Sequence, residues 1–156
     1  MEKIYLDDGS LLFEGEFDGL KRHGKSKTFY PNGSLMLESN FVNGKKDGIA
    51  KVYSEDANLT IECFFDAGKE SGEWKYYHQN GKLAKTGHLK NGKEEGEWSF
   101  FDEQGKLTEK GLYKNGHRDG EWQEFDENGN LLQNRKYKNG KTVDAYVGEE
   151  LEVKLD

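Results

Sequence analysis

The chain has 156 residues, 34% of them charged, a net charge of −7, 20 glycines and one proline. So polar a chain would stay disordered were it not for its aromatic residues, 13% of the total, which favour a thin, turn-rich β structure over a two-layer globule. The single cysteine, Cys63, excludes an internal disulfide framework and a multi-cysteine metal site.

The first residues, MEKIYLDDGS, bring an acid at once and no apolar run, so no secretory leader or membrane span is expected, and the reading is a cytoplasmic protein. From there the chain repeats. Gly24, Gly48, Gly72, Gly96 and Gly120 open successive units 24 residues apart. A turn glycine follows at Gly9, Gly33, Gly81, Gly105 and Gly129, with Ala57 the exception. Two residues after it stands Leu11, Leu35, Leu59, Leu83, Leu107 or Leu131, and four before it Tyr5, Phe29, Tyr53, Tyr77, Phe101 or Phe125. Six copies at one period predict a stacked array.

Each unit reads as a hairpin. A first strand such as EWKYY leads into HQNGK, whose Asn-Gly suits a left-handed turn; a second strand such as LTEKGLY returns, and KNG turns again. Where Ala57 replaces the turn glycine, Asn58 is expected to take the positive φ. The predicted fold is all-β: about six 24-residue hairpins, starting near residues 1, 24, 48, 72, 96 and 120, forming an elongated, twisted antiparallel meander of about twelve strands. The array covers residues 1–141, and 142–156 form a capping strand or tail. In that tail LEVKLD alternates apolar and charged residues, as a strand covering the sheet edge would.

Gly15, Gly87 and Gly111 on the second strands leave room for a neighbouring ring, and Cys63 takes that place in one unit as a small buried residue. Two positions after the opening glycine stand Ser26, Ala50, Trp74, Trp98 and Trp122, so a tryptophan ladder exists only in the later half. Trp74, Tyr76, Trp98, Phe100 and Trp122 form the candidate binding face, while Gly24, Gly48, Gly72, Gly96, Gly120, Leu83, Leu107 and Leu131 belong to the structural period. Which face Leu83 shares, with Trp74 or with Tyr77, depends on loop type and stays open.

Residues 13–33, FEGEFDGLKRHGKSKTFYPNG, resemble the MORN repeat in Phe13, Gly15, Phe17, Gly24, Phe29, Tyr30 and Gly33. Later units such as GEWKYYHQNGKLAKTGHLKNGK resemble its bacterial variant, found in YwqK-type antitoxin-family proteins. The resemblance covers roughly residues 5–141 and implies an elongated run of hairpins that binds proteins or associates with itself. Some arrays of this type are linked to acidic phospholipids, but this chain is acidic and has no large Lys/Arg cluster, so a membrane partner is not expected.

No nucleophile elbow, phosphate loop or paired-carboxylate spacing is present, and no catalytic, cofactor or metal residues are assigned. His23, His78, His88 and His117 fall at four different repeat positions; only His78 and His88, flanking one hairpin, are candidates to be neighbours. Asp102, Glu103, Asp126 and Glu127 precede turn glycines and read as turn formers rather than calcium ligands. The lysines of the KNGK turns, Lys90–Lys93 and Lys138–Lys141, lie along one edge, but KEEGE cancels the first locally, so nucleic acid is not expected. The expected function is a non-enzymatic protein-interaction scaffold, antitoxin-like or self-associating, without cofactor. The alternative is stacking of carbohydrate or choline-like groups on an exposed Trp/Tyr ladder.

Overall fold

The computed structural model describes residues 1–146, so the LEVKLD segment lies outside the described residues. The strands are β1 (Glu2–Tyr5), β2 (Leu11–Asp18), β3 (Lys21–Phe29), β4 (Leu35–Val42), β5 (Lys45–Lys46), β6 (Gly48–Tyr53), β7 (Leu59–Asp66), β8 (Lys69–Tyr77), β9 (Leu83–Lys90), β10 (Lys93–Phe101), β11 (Leu107–Lys114), β12 (His117–Phe125), β13 (Leu131–Lys138) and β14 (Lys141–Tyr146). They form one open antiparallel sheet in chain order, with β5 paired to β4 off the main path. The count exceeds twelve for two reasons. A break at Asp47 splits one strand into β5 and β6, with the Asp47 amide donating to the Asn40 carbonyl at 2.9 Å. A further strand, β14, follows the sixth hairpin.

Two turn chemistries alternate along the sheet. Asn43-Gly44, Ala67-Gly68, Asn91-Gly92, Asn115-Gly116 and Asn139-Gly140 have positive φ at both residues, the two-residue type I′ hairpin turn. At the opposite edge the connection is longer. In Asp102–Lys106 the Gly105 amide donates to the Asp102 carbonyl and the Asp102 amide to the Lys106 carbonyl, both at 2.9 Å. The six recurring aromatic and leucine positions meet directly after this loop as cross-strand partners, from Tyr5↔Leu11 and Phe29↔Leu35 to Phe125↔Leu131. Leu83 thus pairs with Tyr77, and Trp74 with Gly87.

The expectation for Ala57 needs correction. Ala57 itself holds φ 63°, donating its amide to the Ser54 carbonyl at 2.9 Å, and Asn58 is not left-handed. The loop backbone is set by its hydrogen bonds, and the side chain bears the strain, which for a non-glycine residue is about 1–2 kcal/mol. Ala57→Gly is therefore expected to stabilise the protein by about 1 kcal/mol, read as a higher urea midpoint. An unchanged or lower midpoint would show that no strain is stored there.

The first strands also begin earlier than the opening glycines, at Lys21, Lys45, Lys69, Lys93 and His117. Gly24, Gly48, Gly72, Gly96 and Gly120 sit inside or beside them with φ between 63° and 93°. They are bulge residues. At Gly120, for example, the register jumps from Gly111↔Trp122 to Tyr113↔Arg118, placing three residues opposite one.

Candidate functional site

Strand alternation sends Trp74, Tyr76, Trp98, Phe100 and Trp122 to one face, where they meet Phe65, Leu89, Tyr113 and Tyr137. Two of the tryptophans lie flat on glycine. A Cβ at Gly87 would stand 2.1 Å from Trp98, and one at Gly111 would stand 2.2 Å from Trp122. Seated this low, the indoles reach backbone: Trp98 Nε1 donates to the His88 carbonyl at 3.3 Å and Trp122 Nε1 to the Leu112 carbonyl at 2.9 Å. Trp74 stands in the bulge opposite Cys63 instead of glycine, and its buried Nε1 has no partner among the described residues. Rings wall the indoles in, with Tyr113 edge-on to Trp122 at 5.1 Å and Phe100 at 6.0 Å.

Trp74, Trp98 and Trp122 are 7%, 2% and 1% exposed. The exposed Trp/Tyr ladder of the sequence reading is thus the core, and its indole faces are already stacked on protein. Cations that the sequence reading missed close this face. The Arg118 guanidinium lies 3.8 Å from the Trp122 ring centroid and 5.4 Å from that of Tyr137, and both its terminal nitrogens bond Glu109, one at 3.0 Å. Burial works against its charge, but the hydrogen bonds and charge of Glu109 outweigh it and hold its pKa above the usual arginine value. Lys85 caps Tyr76 at 4.2 Å, and Arg22 caps Phe13 at 4.6 Å.

The opposite face is charged. Across β1 to β8 the partners run Lys3, Glu14, Lys27, Glu38, Lys51, Glu62, Lys75, each opposite the next. Four of the ion pairs close to 3.7–4.0 Å. Individually such pairs contribute little; alternation mainly forbids like-charge neighbours and so pins the register. Beside the ladder, Ile49 and Phe64 face each other, 59% and 39% exposed. Leu112 lies further along the same face, 46% exposed.

Each long edge is tied unit to unit. Tyr30 Oη donates to the Tyr53 carbonyl at 2.8 Å, and Asn80 Nδ2 to the Glu103 carbonyl at 2.7 Å. At the other edge the turn glycines donate backward, Gly92 to the Glu70 carbonyl and Gly116 to that of Glu94. The family profile of the MORN repeat variant matches residues 22–43, 70–91, 94–115 and 118–139, more than half of the chain. The chain belongs to the MORN repeat variant family.

Each matched MORN segment runs from just inside one two-residue turn through a loop to the next turn, which is one hairpin of the fold. The unmatched hairpin between the first two carries three departures from the repeat pattern, Ala57, Cys63 and Ala67. No curated protein matches the chain. Among solved structures it resembles one described as "Crystal Structure of TarM", at 11% identity and a TM-score of 0.42, over 62% of this chain and 19% of that one. The match covers about a fifth of that protein's length.

His78 and His88 are not brought together. His78 sits on the loop edge with Nε2 2.8 Å from the Phe101 carbonyl, and because a carbonyl only accepts, Nε2 carries the proton. His88 lies in β9 between Glu73 and Glu95. No group of three or more His, Cys, Asp or Glu among the described residues could hold a metal. Burial pushes the Cys63 thiol up to about 11, with Lys46 opposing, so it is a packing residue and a poor nucleophile.

Asp102 and Asp126 shape their loops. Asp126 Oδ1 accepts from the Asn130 and Asn128 amides at 2.8 and 2.9 Å. The Asn130 amide, chief among these bonds, holds the Asp126 carboxyl below its usual pKa. A folded pKa below the unfolded one gives stability that is present above pH 4 or so and lost as pH falls through the folded value. Thermal melts should show this loss in acid, and Asp126→Asn should flatten it; an identical acid slope for the variant would exclude the loop as its source.

Proposed function

We propose that this MORN protein is a non-enzymatic scaffold of the cytoplasm that binds a protein partner on its charged face. The Ile49–Phe64 pair carries this reading. It is exposed on the face opposite the aromatic core, within a sheet fixed by backbone pairing on both sides. Shallow grooves flank it, one lined by Lys25, Asn40 and Asp47, the other by Glu62 and Glu73. An apolar centre with a polar rim on a rigid support is the anatomy of a binding hot spot. MORN repeats are commonly interaction modules, which supports the reading. An antitoxin-like role, masking a toxin protein, is its most specific form; neither nucleic acid nor membrane enters it.

The test compares wild type with Ile49→Asp/Phe64→Ser as bait, in source lysate and against any toxin-like product of a neighbouring reading frame. One specific protein should be retained by wild type and lost by the double variant, with the melting temperature unchanged. Equal retention by both baits would move the interface elsewhere.

A further inference from the structure

The two long edges of the sheet carry opposite charge, and the meander separates them cleanly. One edge consists of the loops at 6–10, 30–34, 54–58, 78–82, 102–106 and 126–130, which hold eight acids and two lysines. The other consists of the turn quartets 18–21, 42–45, 66–69, 90–93, 114–117 and 138–141, which hold eight lysines and two acids. Both edges advance one turn per hairpin, two strand spacings or about 9.5 Å; a lysine stands at every turn of one edge, and the acids of the other stand in pairs in the loops at 6–10, 54–58, 102–106 and 126–130.

The lysine edge is built against its own stability. Lys90 and Lys93 are direct cross-strand partners, as are Lys138 and Lys141, an arrangement that repels. The acids just inside this edge serve the backbone. Asp47 accepts from the Ala67 amide at 3.1 Å and Glu95 from the Asn115 amide at 3.0 Å, so apart from Asp18 and Asp66, opposite Lys21 and Lys69, the exposed charges at this edge are lysines.

We propose that a second copy of this chain docks side by side, the acidic loop edge of one array against the lysine turn edge of the next. A free polyanion would need only the lysines, whereas the same molecule supplies an edge of opposite sign and equal net charge. Such an interface is heterologous and leaves an edge open on each side, so association continues with concentration. It uses other residues than the Ile49–Phe64 patch, and the Ile49→Asp/Phe64→Ser variant should assemble as wild type does.

Sedimentation velocity on the full chain tests this. At about 0.05 M salt wild type should sediment with a mass that grows with concentration, and at about 1 M, where charges act over only some 3 Å, as a monomer. Lys90→Glu/Lys114→Glu/Lys138→Glu should be monomeric alone, as should Glu55→Lys/Glu103→Lys/Glu127→Lys. Mixed in equal amounts, the two should pair as dimers and grow no further, because each keeps the charged edge that its partner has neutralised. Wild type that stays monomeric at low salt, or a mixture that stays monomeric while both variants melt as wild type does, overturns the proposal. So does a wild type that assembles only after heparin is added, which would make the lysine edge a polyanion site.

Discussion

Gly111→Ala is expected to destabilise the array by roughly 2–3 kcal/mol, the cost of overpacking a filled core. The backbone at Gly111 is not left-handed, so conformational strain plays no part. The loss comes from Trp122, 1% exposed, whose ring already occupies the Cβ position. That ring cannot rise without breaking its bond to the Leu112 carbonyl and its packing on Tyr113 and Tyr137. Cys63 shows the same substitution made by nature: a side chain stands under Trp74, the indole is 7% exposed, and its Nε1 is unpaired. Cys63→Gly should accordingly let Trp74 settle and donate to the Phe64 carbonyl, the equivalent of the His88 and Leu112 carbonyls. Indole hydrogen exchange reads both: protection lost at Trp122 in one variant, gained at Trp74 in the other. A Gly111→Ala protein as stable as wild type would show that the indole is not seated on that backbone.

The second large effect is at Arg118. Its removal strips a cation from Trp122 and leaves Glu109, whose side chain is 20% exposed, without its two-nitrogen partner. Charge-assisted bonds of this kind are worth about 1.5–3 kcal/mol, and partial solvent access reduces the figure, so Arg118→Ala should cost about 2 kcal/mol. Arg118→Lys should recover only part, since an ammonium cannot make the paired bonds. Earlier units carry Leu37 and Ile61 at the position of Glu109, so the array accepts an apolar residue there. Glu109→Leu/Arg118→Met should therefore be far less destabilised than Arg118→Ala, closing a double-mutant cycle with strong coupling. Additive single effects in chemical denaturation would mean that the two side chains act independently.

Much of this fold was legible because turn chemistry and period are local. Asn-Gly at 115–116 demands a two-residue turn whatever surrounds it, and six aromatic–leucine positions at one spacing require one repeated contact. Strand starts were harder to read, because a left-handed glycine within a strand looks the same in sequence as one before it; Gly72 is a bulge, not a beginning. The period also placed Trp98 and Trp122 on one face. Their exposure was hidden, since it depends on which residue lies opposite across a bulged register. The charge ladder was hidden for the same reason: Glu14 and Lys27 become neighbours only once the turn between them is counted residue by residue. Ile49 and Phe64 gave no motif at all: Ile49 stands where later units carry Glu73, Glu97 and Glu121, and Phe64 where the adjacent units carry Asn40 and His88.

The loop-to-loop bonds span 21 to 23 residues, so they fasten each hairpin to the next one along. Length is thereby uncoupled from design. Excising 24 residues between equivalent positions removes two strands, preserves which side of the sheet every remaining residue faces, and rejoins partners of the same kind. Excising twelve would turn the downstream half upside down. A lineage carrying such a gene can lengthen or shorten the protein in whole hairpins, as one adjusts a chain by links, and keep whatever the surviving surface recognises.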